Sequence, residues 1–550
     1  MCRFLLLLAA ALALQAARQP VPTRHAMVVT VEPHATEAGV KILQAGGNAV
    51  DAAVAVGFAL AVTHPSAGNL GGGGFLLVRL AGGETNFIDF RECAPAKASR
   101  DMYLDSRNQP TRDSQTGYRA SGVPGTVRGL EFAHRKYGRK PWAEVMEPAI
   151  RLALSGFPVS SALARSLENS RQLLERFPES KRIFLKGGAL YRPGDLFVQP
   201  ELARTLERIR DRGAREFYTG ETARLLVRDM ESHNGAITAA DLSAYSVVER
   251  RPLTGSYRGY HLVTAPPPSS GGIGILQMLA VLEGSNYASA GAGSPASLHY
   301  LAETMRRFFA DRARYLGDPD FAPVPTLRLI SRAHADRQRA TIDPARATPS
   351  ENLPQPAPEA TETTHYTIVD AAGNVAAVTY TLNGGYGSGV TPPGLGFLLN
   401  NEMDDFAARP GLPNLYGLVQ GEANAIAPRK RPLSSMTPTI VLRDGKFYMA
   451  LGSPGGPTII NTVLQVLVNV FDFGMNLQEA VDFPRIHHQW LPDELRMESG
   501  FPPGVVELLK ARGHRIRIVR SMGEVAAVLR AGGWLQGAAD PRSEGVAKGY

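Results

Sequence analysis

Apolar and polar positions along the 550-residue chain follow a helical rhythm in its first two thirds and a strand rhythm in several shorter runs. His34–Ala45 and Ala49–Thr63 read as two helices, with Gly46-Gly47 stopping the first and Asn48 capping the second. Val50, Val54, Phe58 and Ala61 fall on one stripe of the second helix. Phe75–Leu80 and Glu84–Arg91 read as strands, and residues 120–345 as mostly helical scaffold. Within that scaffold the loop PPPSSGG (266–272) precedes a helix at Ile273–Leu282, where Ser269 and Ser270 read as caps. Further on, His365–Val369 and Val375–Leu382 flank a turn at 370–374, with Gly373 and Asn374 placed for positive φ. A second hairpin, Thr439–Leu442 with Phe447–Leu451, leads through Gly452-Ser-Pro-Gly-Gly456 into a long helix at Pro457–Phe471.

One join breaks this regularity. Residues 349–362, PSENLPQPAPEATE, hold four prolines and three acids and almost nothing to bury, so they read as a solvated linker. That linker runs straight into the first residue of a sheet, a natural place to cut. A cut before Thr363 leaves that residue with a hydroxyl and a free α-amine, and the amine is a base of suitable strength to take the hydroxyl proton. Thr381 returns in the next strand, and Asn383 follows on the same face. On the hairpin alone, the ordinary strand preference for threonine is the better explanation of these residues.

Composition narrows the classes. The chain is 44% hydrophobic and 20% charged, as in ordinary soluble globular proteins, and its length suits two to four domains or one large intertwined αβ unit. The net charge of +8 is spread thinly; the tightest basic run, Arg429-Lys430-Arg431, is flanked by prolines, which disfavours nucleic acid as a partner. Residues 1–17, a short positive start and an apolar core, read as a signal peptide rather than a membrane anchor. Export, to a bacterial periplasm or beyond the cell, follows from that reading. Cys2 would leave with the peptide; Cys93 then stands alone as a small packing residue that cannot form an intramolecular disulfide.

Several motifs offer chemistry. HPSAGNLGGGG (64–74) opens a strand and lacks the lysine of a phosphate loop, so it reads as a tight backbone crossing. No G-x-S-x-G supports a serine nucleophile, and HExxH and CxxC are absent, so the expectation is no metal and no cofactor. Glu402, Asp404 and Asp405 cluster within four residues, which a solvated turn also explains. Gly455 and Gly456 sit at a helix start, where backbone N–H groups favour an anion.

TTHYTIVDAAGNVAAVTYTLN (363–383) resembles the processing site of the γ-glutamyltranspeptidases, members of the N-terminal nucleophile hydrolases. GNLGGGGF, FRE-x-APAKA-x-RDMYLD, YRASGVPGTV, ITAADLSAYSVVERRPL and RPLSSMTP are similar to that family too, and the resemblance spans nearly the whole chain. It implies an α+β fold, a four-layer αββα sandwich built by two subunits, 18–362 and 363–550, cut from one precursor between Glu362 and Thr363. It further implies Thr363 as nucleophile oriented by Thr381, and an oxyanion hole at Gly455 and Gly456. Arg91, Ser434 and Ser435 would hold a substrate α-carboxylate. Asn383, Glu402 and Asp405 would hold its α-ammonium, and Tyr416 would belong to a lid at 409–421. Some members carry Gln and others Glu at the position of Glu402. His487 and His488 are read as structural, and Arg542 as a buttress. The implied partners are glutathione and other γ-glutamyl compounds, with amino acids or dipeptides as acceptors, and the two subunits as a lasting heterodimer. Two rivals remain open: an acylase of the same fold, for example on glutaryl-β-lactams, and an inert, unprocessed binding protein of the envelope.

Overall fold

The computed structural model describes residues 18–350 and 363–550. The expected signal peptide (1–17), the linker after residue 350 and Glu362 lie outside the described residues. Fourteen strands build two seven-stranded sheets. They are β1 (Val21–Thr23), β2 (Met27–Thr30), β3 (Gly73–Arg79), β4 (Thr85–Phe90), β5 (Val248–Arg250), β6 (Leu253–Tyr257) and β7 (Tyr260–Thr264). The later ones are β8 (Thr364–Val369), β9 (Val375–Thr381), β10 (Thr439–Arg443), β11 (Lys446–Gly452), β12 (Ala526–Ala531), β13 (Trp534–Ala539) and β14 (Val546–Gly549). The first sheet runs β14-β2-β8-β9-β3-β4-β5 and the second β1-β13-β12-β11-β10-β7-β6. Every pairing between neighbours in the two is antiparallel.

Period-two alternation makes the layers. In β3, Phe75 and Leu77 point into a core shared with Val263, Ile440, Ala450 and Val528 of the opposite sheet. Leu76 and Val78 point the other way, into a core with α1 (Pro33–Gln44), α2 (Ala49–Thr63) and α3 (Thr126–Tyr137). The second sheet's outer face, with Leu262, Val441 and Leu529, packs on α4 (Gly271–Glu283), α5 (Pro295–Tyr315) and α6 (Thr458–Phe471). The stack is therefore helix, sheet, sheet, helix, in an α+β arrangement. Among the described residues no helix is long and apolar enough to cross a membrane.

Three local expectations change. The stripe on α2 does not mark a face, because all fifteen residues of that helix are buried between a sheet and other helices. Its start is fixed as expected by Asn48, which forms a reciprocal capping box with Asp51. In the β8–β9 turn only Gly373 has positive φ (88°); Asn374 instead ties the loop shut, its side chain donating to Asp370 Oδ2 at 2.7 Å. Ser270 stands at the start of α4 without capping it. Its hydroxyl donates to the Ser434 carbonyl at 2.7 Å, while Ser269 accepts from Gly271 N at 3.0 Å and donates to Met436 O at 2.7 Å. Both serines fasten the 434–436 segment to the helix start.

Candidate active site

The site lies where β8 begins and β9 ends. Antiparallel register sets Thr364 opposite Tyr380, which brings Thr363 beside Thr381, their hydroxyl oxygens 3.2 Å apart and both residues buried. Thr381 Oγ1 also accepts from Asn383 N at 2.8 Å. The glycine run explains how the chain can cross here. A Cβ at Gly72 would lie 2.0 Å from the Thr381 carbonyl, and one at Gly71 2.2 Å from the Leu398 carbonyl. Asn69 bridges the crossing, donating to Thr381 O and accepting from Gly72 N.

Around this pair the fold gathers ten of the residues singled out from the sequence. Thr363, Thr381, Asn383, Arg91, Glu402, Asp405, Tyr416, Ser434, Ser435 and Gly456 line one cavity of 20 Å³, with Met436, Leu418, Pro457 and Ile459 completing it. That volume holds about one water. Gly455 is the neighbour of Gly456 in the turn before α6; their φ values are 127° and 54°. The helix start lies at the cavity's edge, where amides have no partner within the helix.

The charged groups meet directly. Arg91, at the end of β4, is fully buried and pairs through Nη1 with Glu402 and through Nη2 with Asp405, while Nε donates to Pro432 O at 3.2 Å. Glu92 lies 3.6 Å from Nη1. Burial opposes the charge on Arg91, but Glu402, Asp405 and Glu92 outweigh it and hold the guanidinium protonated. Burial raises Glu402 well above the usual carboxylate range and pushes Glu92 up to about 7, against the pull of Arg91. The sequence reading set Arg91 and the acids at opposite poles of a ligand; in the structure they are in contact, as a buried guanidinium requires.

The 409–421 segment contributes Tyr416 and Leu418 to the cavity wall. Tyr416 donates its hydroxyl to the Asn383 carbonyl at 2.6 Å, Leu415 N donates to Asp404 Oδ2 at 2.9 Å, and Gln489 Nε2 holds the Tyr416 carbonyl at 3.0 Å. His487, bonded to Gln489 Oε1 at 2.8 Å, steadies that support. Burial drives His487 down to about 3 and His488 to about 4, so both are neutral at physiological pH. Arg542 joins Glu498, Asp540 and the Phe483 carbonyl and does not line the cavity. Cys93 is half-buried, and its thiol is pushed up to about 12 by burial. Among the described residues no group of three or more His, Cys, Asp or Glu is arranged to hold a metal.

Two residues at the site went unnoticed in the sequence. Glu92 hid beside Arg91. Arg312, in the segment read as scaffold, reaches Ser270 and Ser435 from α5. Its signal was a charge on an apolar stripe with Met305, Phe308 and Phe309, all buried.

A family model described as gamma-glutamyltranspeptidase matches residues 35–550. The chain belongs to the γ-glutamyltranspeptidase family. Among relatives in it, the Escherichia coli (strain K12) protein named glutathione hydrolase proenzyme is 50% identical over 96% of this chain and 93% of its own length. The solved structure of Helicobacter pylori gamma-glutamyltranspeptidase is 47% identical, with a TM-score of 0.57 over 58% of this chain and 92% of that one. Cephalosporin acylase from Bacillus halodurans is 26% identical but superposes over 98% of both chains with a TM-score of 0.87. The transpeptidase family thus shares its architecture with an acylase.

Proposed function

We propose that the protein is an exported, self-processing γ-glutamyltransferase and glutathione hydrolase. The observation that carries this reading is the Thr363–Thr381 contact of 3.2 Å in a cavity that also holds Arg91, Asn383, Glu402 and Asp405. It is supported by the 50% identical relative named glutathione hydrolase proenzyme. Thr363 Oγ attacks the carbonyl of Glu362, and the peptide C–N bond breaks to leave an ester and a free α-amine. Water then hydrolyses the ester to release the Glu362 carboxylate and the Thr363 hydroxyl. In turnover that amine takes the hydroxyl proton while Oγ attacks the γ-carbonyl of the donor. The Gly455 and Gly456 amides stabilise the oxyanion. Collapse expels the leaving amine with the proton, and water or the amine of an amino acid or peptide resolves the γ-glutamyl ester. Arg91 with Ser434 and Ser435 binds the donor's α-carboxylate; Asn383, Glu402 and Asp405 bind its α-ammonium. Tyr416 shuts the lid. The pieces 18–362 and 363–550 stay together as a heterodimer in the periplasm or outside the cell.

The likeness to cephalosporin acylase favours a second reading, an acylase for a glutaryl donor. Such a donor has no α-ammonium, so Glu402 and Asp405, already paired with Arg91, would meet no cation of the donor. One experiment separates the readings. Wild-type protein should run as two bands, the smaller of about 20 kDa out of 59.1 kDa and beginning at Thr363, and should release anilide from γ-glutamyl-anilide. Thr363→Ala should remain one chain. Release from glutaryl-anilide alone would make the protein an acylase, and normal cutting of Thr363→Ala would assign the cut to another protease.

A further inference from the structure

Among the described residues Arg312 is a buried cation with no carboxylate in salt-bridge contact. Its side chain is 2% exposed. Nε donates to Ser270 Oγ at 3.0 Å and Nη2 to Ser435 Oγ at 3.4 Å. Among the described residues Nη1 has no hydrogen-bond partner. The carboxylate that a buried guanidinium normally requires is missing from its contacts there; Asp405, the acid whose charge reaches it, is taken by Arg91.

What Arg312 does touch is the wall of the candidate site. Ser435 lines the cavity. A hydroxyl that accepts from a guanidinium must turn its own O–H elsewhere, so Arg312 leaves the Ser435 hydrogen free to be donated into the cavity. Ser270, which accepts from Nε, passes the constraint on. Its hydroxyl and its backbone N–H both bond the Ser434 carbonyl, at 2.7 and 2.8 Å. One guanidinium therefore fixes the two serines of the 434–435 pair, one through its hydroxyl and the other through its backbone. It also sets a positive charge one layer behind them, while Arg91 is held by Glu402 and Asp405.

We propose that Arg312 is a positioning residue for the carboxylate end of the donor: it orients Ser435 and Ser434 as hydrogen-bond donors and supplies the cationic field behind them. This rests on the reading of the cavity as a γ-glutamyl site. A bolt that merely anchored α5 would lower the use of every donor alike. A carboxylate-positioning group discriminates between donors that have and lack that carboxylate.

The test uses fully cleaved enzyme and two donors, γ-glutamyl-p-nitroanilide and its decarboxylated analogue, 4-aminobutyryl-p-nitroanilide. Wild-type enzyme should prefer the first. Arg312→Met should lower that preference by about ten- to hundredfold, chiefly through KM, as loss of a charge-assisted contact implies. Arg312→Lys, which keeps the charge but not the fork, should recover part of it. If Arg312→Met fails to mature, Ser270→Ala removes one link of the relay and should shift the same ratio by about threefold or more. An unchanged ratio in Arg312→Met, or in Ser270→Ala where that variant stands in, overturns the proposal. Loss of preference in Arg91→Lys alone would then leave the γ-glutamyl reading intact. Absence of any preference in the wild type would defeat that reading and this proposal together.

Discussion

Three carboxylates share the buried guanidinium of Arg91, and they do not share it equally. Glu402 and Asp405 take its Nη1 and Nη2, whereas neither oxygen of Glu92 has a hydrogen-bond partner among the described residues. Burial therefore keeps a proton on Glu92 up to about pH 7, against an ordinary value of 4.5. The folded protein then holds a proton that the unfolded chain releases. Stability from this group is full below about pH 4.5 and is lost as the pH rises through about 7. Glu92→Gln, neutral at every pH, should unfold later than wild type at pH 8, by on the order of 1–3 kcal/mol, with the gap closing towards pH 4.5. Thermal unfolding across that range checks it. A gap that stays constant with pH would mean that Glu92 is ionised against Arg91 in the fold. Neither Glu92 nor Arg312 was legible in the sequence as a site residue. A charge one step from a strand-end arginine or on a helix stripe looks local, and what surrounds it is decided by the fold. Glu402 reaches Arg91, beside Glu92, from 311 positions away, and Ser435 meets Arg312 from 123. Thr363, Thr381 and the 431–438 run could be read because their motifs are long.

At the scale of elements, the glycine run at 71–74 acts as a spacer for β9. Gly72→Ala would thrust a methyl to 2.0 Å from the Thr381 carbonyl, so β9 must shift at the residue whose hydroxyl lies 3.2 Å from that of Thr363. Destabilisation of about 2–4 kcal/mol and at least tenfold slower appearance of the two bands are expected. Gly82→Ala, in the β3–β4 turn with nothing within 4 Å of the added methyl, is the control. Processing of Gly72→Ala at the wild-type rate would show that the crossing does not set the geometry of the pair. Local pattern located α2, β8 and β9 to within a residue or so, because capping and alternation are short-range signals. It passed over β6 and β7, folded into the helical stretch. Their place in a sheet depends on pairing such as Thr439 with Thr264, which no local rhythm announces.

For the molecule as a whole, the order of strands matters more than their number. β8 lies between β2 and β9, β9 lies against β3, and β10 lies against β7. Strands from before and after residue 363 thus stand side by side in both sheets, and the three cores described above draw on both parts. A cut chain should therefore elute as one particle and unfold in one transition. Gel filtration in rising urea checks this: separation of the 20 kDa band below the unfolding midpoint would contradict the interleaved sheets. The same weave has a practical use. The β8–β9 register sets Thr363 beside Thr381, and Arg91 and Gly456 join them in the cavity only when β4 and β11 are in place. On the self-processing reading proposed above, a severed chain is therefore one that finished assembling. The proportion of severed to whole chain on a denaturing gel then counts successful folding events, and any substitution can be scored for folding yield without a spectrometer or a substrate.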